Sequence, residues 1–111
     1  MLTFPLQEFR QARSRKRLAR AVRKHAQAEY EHRLEAGGVD DTALEARTSL
    51  YEALAAQLEA LDRPASARGT ERLSHLVSER HPLFDYGPYS RARDAELRSI
   101  LAELGGGGEP Q

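Results

Sequence analysis

The apolar residues of this chain are nearly all of two kinds, alanine and leucine, and this limits the folds available to it. Its 111 residues include 17 Ala and 15 Leu, but only three Val, one Ile and three Phe. Ala and Leu favour helices, whereas strands are enriched in β-branched and aromatic residues. We therefore predict an all-α fold. A core of this kind buries little area per residue, so we expect a protein partner, a second copy or a nucleic acid to add stability.

Two long helices are predicted in the first part of the chain. The first covers residues 5–36, starting at a proline and ending before two glycines, with a possible break at 13–17 where no apolar anchor occurs. The second is capped by Asp40 or Asp41 and extends to residue 62. Because the connection between them is short, we predict an antiparallel helical hairpin.

Two shorter helices are predicted to follow the hairpin. Thr70 is the expected cap of the third helix and Ser90 that of the fourth. The apolar face of the fourth helix is formed by Leu97, Ile100, Leu101 and Leu104. The predicted organisation is a single-domain small helical bundle over residues 1–104, made of a hairpin (1–62), a Pro/Ser/Gly-containing linker (63–69) and two shorter helices (70–104), followed by a disordered Gly-rich C-terminal tail (105–111).

The net charge of the chain is zero, but the charge is strongly polarised along the sequence. Residues 1–25 contain eight basic residues and one acidic residue, a balance of +7. Residues 26–111 contain nine basic and sixteen acidic residues, a balance of −7. Such asymmetry predicts two regions that prefer different partners.

The basic residues of the first helix form one stripe. At 100° per residue they fall within an arc of about 140°, opposite the small apolar residues of the same helix. No acidic residue lies three or four positions from any of them, whereas seven like-charge pairs do, which costs the helix about 1.5–3.5 kcal/mol. We therefore expect the stripe to bind an anion from outside the helix. The basic stripe consists of Arg10, Arg13, Lys16, Arg17, Arg20, Arg23 and Lys24.

Nucleic acid is the expected ligand of the basic stripe, because arginine binds phosphate through a bidentate fork. The contacts would be made to the phosphate backbone and would not read sequence. Arg15, which lies on another face, could reach a second strand or a partner chain. Three alternatives remain open: an acidic protein surface, the acidic remainder of the same chain, or a stripe that is simply solvated.

Two histidine clusters were considered as metal sites. His25, Glu29 and His32 share one helical face, but the chain has no second Glu-x-x-His motif to complete a di-iron site. We interpret them as two exposed histidines flanking a carboxylate and predict no metal. The cluster His75, Glu79 and His81 is a weaker candidate, because Pro82 ends the helix there.

Three of the seven aromatic residues lie in the loop 81–89, which contains two prolines and a glycine. Phe84, Tyr86 and Tyr89 are predicted either to close the end of the bundle or to contact a partner. Separate substitution of Phe84 and Tyr86 would distinguish a loss of stability from a loss of binding.

The chain contains no cysteine, no membrane-length apolar run and no recognisable catalytic or phosphate-loop motif. We predict a cytoplasmic, non-catalytic protein without a cofactor, of bacterial or phage origin. In architecture alone it resembles the small helical subunits of CRISPR effector complexes and, equally, phage-encoded helical accessory proteins, with no shared motif to transfer residue roles. The predicted function is that of a nucleic-acid-binding subunit of a larger assembly. The alternative is a structural component or inhibitor that docks on an acidic protein surface.

Overall fold

A computed structural model of the chain describes residues 6–36, 41–61, 64–78 and 88–104. These residues contain no strand, which confirms the prediction of an all-α bundle. The predicted Gly-rich tail lies outside the described residues. The helices are α1 (Leu6–Ala36), α2 (Asp41–Ala60), α3 (Ala67–Ser78) and α4 (Pro88–Leu104).

Helices α1 and α2 form the predicted antiparallel hairpin. Arg15, early in α1, contacts Leu61 just beyond the end of α2, whereas Glu29, late in α1, contacts Tyr51 in the middle of α2. The possible break in α1 at residues 13–17 does not occur. The helix is held through this stretch because Arg15 is tied to α2 and the side chains that follow are packed in the core.

The core lies between the four helices, because α1 and α4 each pack against both α2 and α3. Its alanines let the helix backbones approach closely, and its leucines supply most of the buried area. The predicted apolar face of α4 is confirmed, since Leu97, Ile100 and Leu104 are buried and Leu101 packs against them. The core cluster consists of Ala19, Val22, Tyr51, Leu54, Ala55, Leu58, Leu73, Leu76, Leu97, Ile100 and Leu104.

Helix α3 begins four residues earlier than predicted, because Ser66 and not Thr70 is its cap. The Ser66 hydroxyl accepts a hydrogen bond from the Gly69 amide at 3.0 Å, and Thr70 N–H donates to the Ser66 carbonyl at 2.9 Å. Gly69 is therefore a helical residue and not part of a linker. It lies against α4, where an added Cβ would come within 3.1 Å of Leu104 Cδ2. A glycine here permits the close contact between the two helices.

Helices α3 and α4 are also joined by polar contacts on their outer side. Arg72 Nη1 donates to Glu103 Oε1 at 2.8 Å and to Ser99 Oγ at 3.1 Å, and its Nη2 lies 2.9 Å from Glu96 Oε2. Helix α4 starts at Pro88, two residues before the predicted cap Ser90, because a proline is well suited to the first turn. The two shorter helices therefore pack as an antiparallel pair against the hairpin.

Candidate nucleic-acid interface

The basic stripe lies on the outer face of α1, opposite the core. Six of its seven residues are exposed, and Arg23 has 38% of its side chain exposed. The opposite face holds Ala19 and Val22, which are fully buried and so turn the stripe outward. From Arg10 to Lys24 the stripe extends about 21 Å along one continuous helix.

Five stripe residues form a nearly straight row. Their separations of three, four, three and four residues average close to one helical turn, so they stay within an arc of about 80°. Among the described residues, no acidic side chain forms a salt bridge with Arg10, Arg17, Arg20 or Lys24. We call this set the outer row: Arg10, Arg13, Arg17, Arg20 and Lys24.

Arg23 differs from the outer row because it is bound by two carboxylates of α2. Its Nε and Nη2 donate to Glu52 at 3.0 and 2.8 Å, and its Nη1 and Nη2 donate to Glu59 at 2.5 and 3.1 Å. The hydrogen bonds from Arg23 lower the pKa of Glu52 and of Glu59, and those two acids raise the pKa of Arg23. The carboxylates that neutralise Arg23 therefore belong to the chain itself.

The acids of α2 lie along one edge of the stripe only. Glu52 and Glu59 are seven residues apart, with Glu45 seven residues before them, and Lys16 acts electrostatically on Glu59. The heptad spacing of these acids was visible in the sequence. The spacing alone does not pair them with Arg23, because the pairing depends on the register of the hairpin. The edge of the stripe near α2 is thus partly neutralised, while Arg10, Arg17, Arg20 and Lys24 form no salt bridge within the described residues.

Arg15 has a structural contact inside the chain. Its guanidinium is half-buried and donates to the Leu61 carbonyl at 3.1 Å, which satisfies a backbone acceptor at the C-terminal end of α2. A cation is favourable there because the end of a helix carries partial negative charge. The hypothesis that Arg15 could also reach a second strand or a partner chain stays a prediction.

A buried polar network crosses the hairpin beyond the end of the stripe. Glu29, 5% exposed, accepts hydrogen bonds from Tyr51 Oη at 2.6 Å and from Arg47 Nη1 at 2.8 Å. Arg33 Nη1 lies 3.6 Å from the same carboxylate. Arg47 is 2% exposed, and its Nε donates to Asp94 of α4. The network therefore joins α1, α2 and α4 through charges that are each compensated.

The interpretation of His25 and His32 as two exposed histidines beside a carboxylate is only partly right. His32 is exposed, but Glu29 is buried and His25 has only 13% of its side chain exposed. The His25 ring meets the Tyr51 ring edge-on at 5.4 Å. Burial, followed by the charge of Glu29, raises the pKa of Tyr51 above its ordinary value of 10.0. Within the described residues, no group of three or more His, Asp or Glu is arranged to hold a metal ion.

Two other predicted clusters fall largely outside the described residues. Phe84 and Tyr86 are not described, and Tyr89 is described only as part of the backbone of α4. Glu79 and His81 are likewise outside the described ranges. The hypotheses for the aromatic loop and for the second histidine cluster therefore stay predictions.

Comparison of the chain with protein-family models, with curated proteins and with solved structures found no match. Over the described residues, none of the helices combines the length and the apolar character needed to cross a membrane. The function is therefore argued from the geometry of the stripe and its surroundings.

Proposed function

We propose that the chain binds the phosphate backbone of a nucleic acid along the outer row of α1. The observation that supports this is a contrast among the arginines. Arg15, Arg23 and Arg47 each have an acceptor within the fold, whereas Arg17 and Arg20 are exposed and form no salt bridge within the described residues. Exposed guanidinium groups on a rigid helix are well suited to bidentate phosphate contacts.

The row is long enough for several phosphates. Its five cations extend over about 21 Å of helix, and they point away from the core. Contacts of this kind fix the position of a nucleic acid without selecting bases. The proposal is therefore sequence-independent binding whose strength depends on salt.

A salt titration tests the proposal directly. We would measure fluorescence anisotropy with labelled 12-nucleotide RNA and DNA between 50 and 200 mM NaCl. With about five phosphate contacts, affinity should fall about 100-fold for a single strand and about 500-fold for a duplex. Undetectable binding at 50 mM, or an affinity that stays flat across the titration, contradicts the proposal. Salt-sensitive binding to a protein without binding to oligonucleotides would instead support the acidic-surface alternative.

Charge reversal locates the binding surface. The double variant Arg17→Glu/Arg20→Glu should lose binding to all sequences alike, because both side chains would repel phosphate. The matched control is Arg91→Glu/Arg98→Glu, which makes the same change in net charge at two exposed residues of α4. If both double variants lose affinity equally, the effect is one of overall charge and the outer row is not the site.

The proposal further assigns the chain to a larger assembly, as a non-catalytic subunit of a cytoplasmic ribonucleoprotein or CRISPR-type complex in a bacterium or phage-infected cell. Its support is the small core, a cluster of eleven buried residues within the described chain, and the exposure of Leu34 at 52% near the end of α1. A partner chain or a second copy would cover such apolar surface. Size exclusion with light scattering and the 260/280 nm absorbance ratio report oligomeric state and co-purified nucleic acid together.

A further inference from the structure

A cleft of about 350 Å³ lies between α1, the end of α2 and the beginning of α3. Its walls are mainly apolar, and a few polar side chains stand at its rim. This composition is typical of sites that bind small organic groups. The apolar lining is Leu18, Leu58, Pro64, Ala65 and Ala67, and the polar lining is Ser14, Arg15, Thr70 and Glu71.

The cleft adjoins the outer row. Ser14, at its rim, is four residues from Arg10 and three from Arg17, so it is the helical neighbour of both. Such neighbours are about 5–6 Å apart at Cβ. A phosphate held by Arg10 or Arg17 would therefore bring the rest of its nucleotide to the mouth of the cleft.

The charges at the cleft favour a neutral group. Its lining holds one cation, Arg15, and one carboxylate, Glu71, among apolar side chains. A phosphate placed there would meet Glu71 and would lose its hydration against apolar walls. A nucleobase carries no net charge, and its two flat faces are compatible with apolar surroundings.

Arg15 offers a planar surface at the same place. Its guanidinium is held by the hydrogen bond to the Leu61 carbonyl at 3.1 Å, so its orientation is set before any ligand arrives. Guanidinium planes stack on unpaired bases in single-stranded nucleic acids. A base that enters the cleft would find this plane already ordered, which lowers the entropic cost of binding.

The opposite edge of the row disfavours a second strand. There, Arg23 stands between the carboxylates of Glu52 and Glu59, and Lys16 lies near Glu59, so two cations and two carboxylates cancel. A second phosphate backbone on that side would gain no net attraction. The row therefore has one edge that does not attract phosphate and one edge that opens into a cleft.

On the basis of the proposed function, we infer that the ligand is a single-stranded nucleic acid whose phosphates follow the outer row and one of whose bases enters the cleft beside Arg15. Bases paired in a duplex are stacked and cannot enter it without being flipped out. Single strands should therefore be preferred over duplexes of equal length. RNA and DNA are both compatible with the cleft, and the RNA and DNA strands of the salt titration distinguish them.

An oligonucleotide with abasic positions distinguishes base binding in the cleft from phosphate binding along the outer row. We would compare a labelled 12-nucleotide strand with a strand of equal length and charge whose central six positions are abasic, using the wild-type protein. If a base enters the cleft, the affinity for the abasic strand should be lower by about 5- to 150-fold, the range that base stacking supplies. Equal affinity for the two strands overturns this inference and leaves the proposed function standing. If neither strand binds at 50 mM salt, the proposed function itself fails.

A cleft-filling variant provides the second arm. Ala67 is an exposed residue in the first turn of α3 that lines the cleft, so Ala67→Phe should fill it without disturbing the core. The variant should bind the complete strand as weakly as the abasic one and leave the abasic affinity unchanged. The matched control is Ala92→Phe, at an exposed position near the start of α4, with thermal unfolding measured for both. Unchanged discrimination between the two strands in Ala67→Phe contradicts the inference.

Discussion

The N-terminal and C-terminal halves of α1 both carry charged residues, but among the side chains that the structure describes the buried charges lie in the second half. In the second half, Glu29 and Arg33 are 5% and 8% exposed and belong to a network that reaches α2 and α4. In the first half, Arg10, Arg17 and Arg20 are exposed on the outer face of the same helix. The two halves therefore use charge in opposite ways, one toward the core and one toward solvent.

This difference indicates what each set contributes. A buried charge is tolerated only when its partners compensate for the lost hydration, so the network around Glu29 strongly constrains how the helices meet. Arg10, Arg17 and Arg20 of the outer row form no salt bridge within the described residues, and their like-charge neighbours destabilise the helix. A feature that lowers stability and makes no contact in the core is better explained by a ligand than by folding.

Removal of the Arg47 side chain should lower the free energy of unfolding more than any other substitution considered below. Arg47→Ala leaves Glu29 and the Asp94 carboxylate without their shared guanidinium, and breaking a buried pair in this way costs about 3–5 kcal/mol. Urea unfolding followed by circular dichroism measures the change, and loss of folding at 25 °C would agree with it. The control Arg17→Ala should stay within about 0.5 kcal/mol of wild type. Equal stability of the two variants would contradict the proposed difference between the buried charges and the exposed charges of α1.

The Tyr51 hydroxyl should contribute less to the free energy of unfolding than the Arg47 guanidinium. Tyr51→Phe removes one donor to the Glu29 carboxylate and keeps the ring, so we expect a loss of about 1.5–3 kcal/mol at pH 7. The measurement is again the free energy of unfolding in urea. A loss below about 0.5 kcal/mol would show that Glu29 is satisfied without this hydrogen bond.

The difference in unfolding free energy between wild type and Tyr51→Phe should depend on pH. Burial and Glu29 raise the pKa of Tyr51 in the folded state above the ordinary 10.0. The stability that Tyr51 contributes is therefore complete below pH 10 and is lost as the pH rises above 10, by at most about 1.4 kcal/mol per pH unit. The difference in unfolding free energy between wild type and Tyr51→Phe should narrow between pH 10 and 11. A constant difference would show that the hydroxyl titrates normally.

Reversal of one charge in the outer row should stabilise the protein slightly. Arg20 lies three or four residues from four other cations of the stripe, so Arg20→Glu should raise the unfolding free energy by about 0.5–1 kcal/mol. The same substitution should weaken oligonucleotide binding. Urea unfolding and fluorescence anisotropy on one preparation measure both effects. A destabilised variant would mean that the row has a folding role.

The smallest effect, a modest gain in oligonucleotide affinity, is expected from substitutions at the edge of the stripe near α2. Glu52→Gln/Glu59→Gln should release Arg23 from its two acceptors and make it available to phosphate. Oligonucleotide affinity should rise about two- to five-fold, and the salt slope should become steeper by about 0.7–0.9. The control is Glu45→Gln compared with Glu52→Gln alone, since Glu45 is exposed seven residues earlier in α2. Equal gains from these two single variants would indicate a general charge effect.

Much of the fold could be predicted from local sequence signals. The Ala and Leu content predicted helices, and the apolar spacing predicted which face of α4 is buried. Helix α3 shows the limit of this approach, because Ser66 and Thr70 are both acceptable caps in isolation. Ser66 is used because the longer helix brings Gly69 against Leu104, a contact that no local pattern encodes.

For the candidate site, the sequence by itself determined that seven cations share one face of α1, because helical periodicity follows from position alone. Only the tertiary structure decided which of them have partners. Arg23 finds Glu52 and Glu59 through the register of the hairpin, and Glu29 is buried because α2 and α4 close over it. Contacts between residues about 20 to 45 positions apart depend on how whole helices pack, and helix packing is set by the combined burial of many side chains. The arrangement of the cleft beside Arg15 arises in the same way, from three helices that meet only in the folded chain.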